Sequence, residues 1–146
     1  VAGSWKDYHL FCFYSTHGKR QPIAESSHDD ERMAPNAGSV PLRRYFTGQP
    51  PQACLYLYDF GDDWYHDVVL RDVVDLPERF LRRLLGGGRA FPPEDCGGVP
   101  GYERMVEFRR TGIDLVEDDS AGLATWLGDW QPEAFDLDAE KKQFDR

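Results

Sequence analysis

The chain has 146 residues and carries 26 acidic against 17 basic side chains, which gives a formal net charge of -9. This length suits one domain with a sizeable core, and 40% hydrophobic and 14% aromatic residues can fill it, so we predict a single domain over residues 1–146. The negative charge repels a phosphate backbone and disfavours general nucleic-acid binding, and the sequence lacks the run of about 18 apolar residues that spans a membrane.

The first elements in chain order are a strand, a long polar loop and a short helix. Aromatic and apolar density predicts a strand over residues 8–15. Residues 16–39 turn polar and show no periodic apolar face, so we predict a loop there. Residues 41–46 have a proline at their start and are followed by Gly48, which favours a short helix.

A hairpin over residues 54–71 is predicted to be the centre of the fold. Two aromatic-rich runs flank Gly61-Asp62-Asp63, and the Gly-Asp centre gives the backbone the freedom that a tight reversal needs. The register stays open. A two-residue loop would place Leu57 opposite His66, whereas a three-residue loop would place Tyr58 there.

The second half of the chain reads as helices and one stiff loop. Apolar spacing predicts helices over residues 76–85, 102–110 and 119–127, with glycines after their ends. Residues 92–101 contain three prolines and three glycines and predict a shaped loop. In the tail, residues 132–146, we expect Phe135 and Leu137 to dock and a short charged helix to follow. Together these elements predict an α+β fold, an antiparallel sheet centred on the hairpin with the helices packed on one face.

The chemistry-bearing side chains concentrate in the hairpin and in the 92–101 loop, and we predict that these two segments meet in one cleft. The candidate residues are Asp59, Asp62, Asp63, Trp64, His66, Asp67, Glu94, Asp95, Cys96 and Tyr102. Charged groups in a hydrophobic hairpin are costly unless they are paired, hydrated or bound to something.

These residue types allow a divalent cation, for which the candidate ligands are Asp63, His66, Glu94 and Asp95. Carboxylate oxygens suit magnesium or manganese, and zinc becomes the choice if His66 and Cys96 join. The alternative is structural. Acids at turns commonly cap backbone N–H groups, His66 can be a half-buried strand residue, and Cys96 can be an inert buried thiol.

Cys12, Cys54 and Cys96 are an odd number of widely spaced cysteines without a C-x-x-C pair. We interpret them as reduced thiols. The first residues also lack a charged-then-apolar secretion signal, so we predict a cytoplasmic protein.

Two motifs resemble the plasmid pRiA4b ORF-3-like family, some of whose members are described as passenger TnpR-like proteins of insertion-sequence elements. The motifs are Tyr58-Asp59-Phe60-Gly61-Asp62-Asp63-Trp64 and Pro92-Pro93-Glu94-Asp95-Cys96-Gly97-Gly98, the second followed by Gly101-Tyr102. The resemblance covers essentially the whole chain. It implies an α+β domain from a plasmid or mobile-element context, in a family without an established activity.

Three departures from the family pattern affect what the resemblance implies. The chain begins at the Trp5 segment, without the strand and helix that precede it in relatives, so an exposed N-terminal sheet edge is expected for a protein partner or a second copy. Leu84 and Phe91 stand where relatives often have cysteines, which argues against a cysteine-rich zinc site. Phe11 replaces the family's second histidine. The resemblance also allows residues 77–85 to be extended.

Three hypotheses of function follow. The first is a non-enzymatic accessory or interaction domain, because no complete catalytic constellation is present. The second is a metal-dependent hydrolase of phosphoesters that uses the hairpin and loop carboxylates. The third is DNA contact through the arginines at positions 79, 82, 83 and 89, for which the alternative is a solvated face with local salt bridges.

Overall fold

The computed structural model describes residues 5–6, 8–16, 20–26 and 34–145. The chain divides into two compact units, residues 8–75 and residues 1–7 with 76–146. The first unit contains a four-stranded antiparallel sheet and the second contains three helices. The predicted α+β class is therefore confirmed, and the single-domain expectation stays a prediction.

The sheet consists of β1 (Phe11–Ser15), β2 (Pro22–Glu25), β3 (Gln52–Tyr58) and β4 (Trp64–Leu70), in the order β2-β1-β3-β4. The predicted first strand is present, but β1 is paired on both sides and is not an edge. In the part of the chain that the structure describes, the edge strands are β2 and β4. The loop predicted over residues 16–39 is wrong where β2 lies, because pairing with β1 makes this four-residue segment a strand.

The predicted central hairpin is formed by β3 and β4, and both candidate registers are wrong. Tyr56 lies opposite His66. The last pair of the hairpin is Tyr58 and Trp64, which leaves a five-residue connection over residues 59–63. The connection is longer than expected because Asp59 and Asp63 both adopt left-handed backbone conformations, with φ of 56° and 55°. Five consecutive residues of β3, from Cys54 to Tyr58, are buried and form the centre of this unit.

Between β2 and β3 the chain forms two short 3-10 helices, Ala37–Ser39 and Leu42–Arg44. The second occupies the place of the helix predicted over residues 41–46. A 3-10 turn is the form in which a segment this short can be helical.

The helices are α1 (Gly98–Thr111), α2 (Ser120–Leu127) and α3 (Leu137–Phe144). The predicted end of α1 is confirmed, since left-handed Gly112 donates its N–H to the carbonyl oxygen of Phe108 at 2.8 Å. At the start of α2, the Asp119 carboxylate accepts from the Gly122 N–H at 2.9 Å. The core of this unit is a buried cluster from α1 and α2: Met105, Phe108, Leu123 and Leu127.

Two predictions for this unit are wrong. Residues 76–85 form no regular helix, and two of their apolar side chains, Leu81 and Leu85, are 87% and 84% exposed. A helix this short depends on burying its apolar face, which does not happen here. The stiff loop also ends earlier than expected, because α1 begins at Gly98 and includes Pro100 in its first turn, where a missing N–H costs nothing.

Among the described residues, no helix combines the length and the apolar character that crossing a membrane requires.

Candidate functional site

The hairpin half of the predicted site is built around Asp59, which is only 7% exposed. Its Oδ1 accepts hydrogen bonds from the N–H groups of Gly61 at 2.9 Å and Asp62 at 3.3 Å. Its own carbonyl oxygen accepts from the Asp63 N–H at 2.7 Å. The carboxylate therefore shapes the turn, which is the role that the capping alternative assigns to it.

His9, which was not among the predicted site residues, lies beside this carboxylate. The Nδ1 of His9 lies 3.6 Å from Asp59 Oδ2, and its ring contacts Tyr58 edge-on at 5.8 Å between centroids. The Asp59 N–H donates to the Leu10 carbonyl oxygen at 2.9 Å. Since 50 residues separate the pair, only the pairing of β1 with β3 brings them together.

The remaining hairpin candidates do not share one face. Trp64 and His66 lie half-buried on one face of β4, whereas Asp67 is exposed, because successive side chains of a strand point to opposite faces. Asp63 is exposed and Asp62 is half-buried within the connection. The hairpin therefore separates Asp67 from His66 and leaves Asp63 in solvent.

His66 has an altered acidity. Burial lowers the pKa of its imidazole, because the charged form loses hydration, and hydrogen bonds with the backbone of Tyr56 and Trp64 oppose this shift. Its ring lies 5.5 Å from that of Tyr56, its partner in the register. The imidazole is therefore neutral at pH 7, the form that could ligate a metal ion or pack as a strand residue.

The loop half of the predicted site lies in the other unit, where Trp5 and Lys6 brace it. The indole N–H of Trp5 donates to the Pro92 carbonyl oxygen at 2.8 Å, and its ring contacts Phe91 edge-on at 5.0 Å. The Lys6 backbone N–H donates to Glu94 Oε1 at 2.8 Å. The Glu94 carboxylate thus anchors the loop.

Asp95 and Cys96 line a pocket of about 280 Å³ beside α1 and α2, whose other walls include Arg104, Glu117 and Trp126. The Cys96 sulfur lies 3.8 Å from the carbonyl oxygen of Gly98, and both Cys96 and Tyr102 pack against the buried cluster. This pocket brings together the two loop candidates Asp95 and Cys96, while Tyr102 faces the helical core.

An ion-pair network around the buried carboxylate of Asp114 borders this pocket and was not foreseen from the sequence. Arg104 binds Asp114 through two hydrogen bonds of 3.0 and 2.5 Å and Glu117 through one of 2.9 Å. Asp114 is 2% exposed, and the hydrogen bond from Arg104 lowers its pKa to about 2. Arg104 therefore pairs with two carboxylates, the buried Asp114 and the exposed Glu117, which is a structural arrangement rather than an activated one.

The sequence of the unit that holds Cys96, residues 1–7 and 76–146, contains no histidine. The described histidines, His9 and His66, belong to the unit of residues 8–75. The other two cysteines, Cys12 and Cys54, are buried, and burial raises the pKa of both thiols. A raised pKa keeps a thiol protonated and unreactive.

The candidate residues of the predicted cleft are therefore divided between the two units. The hairpin group lies in residues 8–75 and the loop group in residues 76–146. The metal ligand set Asp63, His66, Glu94 and Asp95 stays a prediction, as does the meeting of the two groups.

Comparison with known proteins gives a family and no activity. The family model described as Plasmid pRiA4b ORF-3-like protein matches residues 1–139. The uncharacterized protein y4hQ of Sinorhizobium fredii is 34% identical over 73 residues, which are 50% of this chain and 36% of that protein. The chain thus spans about a third of that relative.

A solved structure shares the fold. The crystal structure of a protein of unknown function, MM3350 from Methanosarcina mazei Go1, matches with a TM-score of 0.64 and 30% identity, covering 94% of this chain and 76% of that chain. Neither relative has a named activity, so the comparisons lend no support to the metal-dependent hydrolase hypothesis.

Proposed function

The chain belongs to the plasmid pRiA4b ORF-3-like protein family, and on that premise we propose that it is a non-catalytic interaction domain. Its proposed ligand is a basic protein partner that pairs as an extended strand with the edge strand β4. The family name favours a plasmid or mobile-element setting, and three free cysteines favour the cytoplasm.

The exposed edge of the sheet at β4 carries this proposal. The strand has seven residues and, among the described residues, pairs with β3 alone, so one row of its backbone N–H and C=O groups faces away from the sheet. Tyr65 and Val69, on its outer face, are 50% and 48% exposed. Such an edge is a template for an added strand, whose main chain supplies affinity while pockets for alternate side chains supply specificity.

Charge selects a basic partner over a second copy of the chain. Two copies with a net charge of -9 repel each other at long range. The β4 edge already holds one cation by an aromatic ring, since the Arg20 guanidinium lies 5.3 Å from the centroid of Tyr65. Asp67, between Tyr65 and Val69 on the same face, adds a negative charge.

The placement of the polar candidates supports a non-catalytic role. Asp59 shapes a turn, Glu94 anchors a loop, and Arg104 is satisfied by Asp114 and Glu117. We expect the purified protein to show no hydrolytic turnover. A robust turnover that is lost on Asp63→Ala or Asp95→Ala would overturn the proposal.

The partner surface is tested with a photo-cross-linking amino acid at Val69 and, as a matched control, at Val116, which is exposed in the other unit. We expect a discrete cross-linked adduct at position 69 and none at position 116. The adduct should disappear when the substitution Tyr65→Lys is added. Mass spectrometry should identify the cross-linked peptide of the partner as a basic sequence. An adduct between two copies of this chain, or equal labelling at both positions, would contradict the proposal.

A further inference from the structure

A pocket of about 480 Å³ lies between the segment 84–91 and residues 130–140, both within the helical unit. Three of its lining side chains are aromatic: Phe91, Trp130 and Phe135. Its volume falls in the range of about 300–1,000 Å³ that is usual for small-molecule sites. We propose that this pocket binds an organic cation, an alkylated ammonium group held by the aromatic rings and by the carboxylate of Glu140.

Contacts on both sides of the pocket hold the aromatic walls in place. The Trp130 indole N–H donates to the Phe91 carbonyl oxygen at 2.7 Å, which fixes the indole against the segment 84–91. The Ala90 N–H donates to the Pro132 carbonyl oxygen at 3.0 Å. The Phe135 ring lies so close to Gly87 that a Cβ there would come within 2.5 Å of it. The walls are therefore formed before a ligand arrives.

The charges around the pocket favour a cation. Arg89 is the one basic residue of the lining, and its guanidinium is already bound to Glu133 Oε1 by hydrogen bonds of 2.6 and 3.0 Å. Asp136 caps α3 by accepting from the N–H groups of Asp138 and Ala139. The lining therefore carries two carboxylates, Asp136 and Glu140, and one arginine that is already paired with Glu133.

Glu140 supplies the charge that this argument needs. It is half-buried and lines the pocket, and within the described part of the chain its carboxylate has neither an ion pair nor a hydrogen bond. A half-buried carboxylate is stabilised more by a counter-ion than a fully exposed carboxylate is, since it has lost part of its hydration.

These features together select the ligand class. Aromatic faces attract cations through the ring quadrupole, and recognition of alkylated ammonium groups is the best-known use of such walls. An anion would face Asp136 and Glu140, and a neutral apolar ligand would leave the Glu140 carboxylate without compensation. The site is independent of the strand-pairing surface proposed above.

Calorimetric titration with choline, and with its neutral tert-butyl analogue in which carbon replaces the quaternary nitrogen, tests the proposal. We expect choline to bind and the analogue to bind at least about tenfold more weakly, because it lacks the charge. Equal affinity for the two compounds, or no heat of binding with choline, would overturn the proposal.

Three variants localise the effect. Glu140→Gln should weaken choline binding about tenfold and Phe135→Leu should weaken it similarly, whereas Asp138→Asn, in the same helical turn but outside the pocket, should leave it unchanged. An unchanged melting temperature in each variant confirms that the fold is intact. Binding that survives Glu140→Gln undiminished would refute the assignment of the carboxylate.

Discussion

The lowered pKa of His66 predicts a loss of stability in mildly acidic solution. In the unfolded chain the imidazole titrates near 6.5, and burial lowers this value in the folded state. As pH falls below 6.5 the unfolded state therefore takes up the proton first, so this stabilisation is present above 6.5 and is lost as pH falls through the folded pKa.

We expect the difference in free energy of unfolding between the protein and His66→Asn to change between pH 7.5 and 5.5, measured by urea denaturation. The variant should lose less stability over this range. The control is Val69→Thr, an exposed position of the same strand without a titratable group, which should retain the pH dependence of the unmodified chain. An identical difference at both pH values would show that His66 does not titrate differently on unfolding.

Asp114 gives a signature of the same sign at lower pH, because its pKa is also lowered in the folded state. Arg104 lowers the pKa of this carboxyl from 3.8 to about 2, so its stabilisation is complete above 3.8 and is lost as pH falls towards 2. Asp114→Asn should therefore lower the melting temperature at pH 7, and the gap should close near pH 2. The control is Asp129→Asn at an exposed position, which should change the melting temperature little. A gap that stays constant from pH 7 to pH 2 would contradict this account.

The sequence predicted which residues carry charge in unusual places, but not how those charges are satisfied. Asp59 was recognisable as a candidate site residue, because a carboxylate inside an aromatic run requires an explanation. Its partner His9 was not, since the two meet only through the pairing of β1 with β3. The pair of Arg104 and Asp114 was missed for a different reason, because the path of the irregular loop after α1 brings them together and the sequence does not specify that path.

At the scale of elements, Gly101 explains part of the second family motif. A Cβ at this position would overlap the carbonyl oxygen of Cys96, which is rigid backbone. We expect Gly101→Ala to destabilise the fold by about 1–3 kcal/mol, as overpacking typically does. Gly86→Ala is the matched control, because nothing lies within 4 Å of a Cβ there. Chemical denaturation of both variants measures the difference, and equal stabilities would show that the close approach is unimportant.

The helix ends that local residues specify were predicted correctly. Elements whose formation depends on contacts distant in the sequence were predicted wrongly. The end of α1 and the start of α2 follow from Gly112 and Asp119, whose caps are local. In contrast, β2 is a strand because β1 lies beside it, and residues 76–85 have helical spacing but no surface on which to bury it. The hairpin register failed because Asp59 and Asp63 lengthen the connection.

At the scale of the whole molecule, net charge and local contacts disfavour the DNA hypothesis. The net charge of -9 opposes a nucleic acid, and three of the four arginines in the predicted basic patch are engaged within the chain. Arg82 donates to the Phe144 carbonyl oxygen, Arg83 binds Glu78, and Arg89 binds Glu133. The patch thus serves local contacts, as the alternative of local salt bridges requires.

We therefore expect weak binding to duplex DNA, with little change when Arg82→Glu and Arg83→Glu are combined, since the net charge of -9 opposes the phosphate backbone and both arginines already make contacts within the chain. Fluorescence anisotropy of a labelled duplex at low and at physiological salt measures this. A protein that used the patch would lose affinity steeply with added salt, by roughly one power of ten in affinity per tenfold in salt for each phosphate contact. Tight, salt-sensitive binding that the double variant abolishes would restore the DNA hypothesis and displace the edge-pairing proposal.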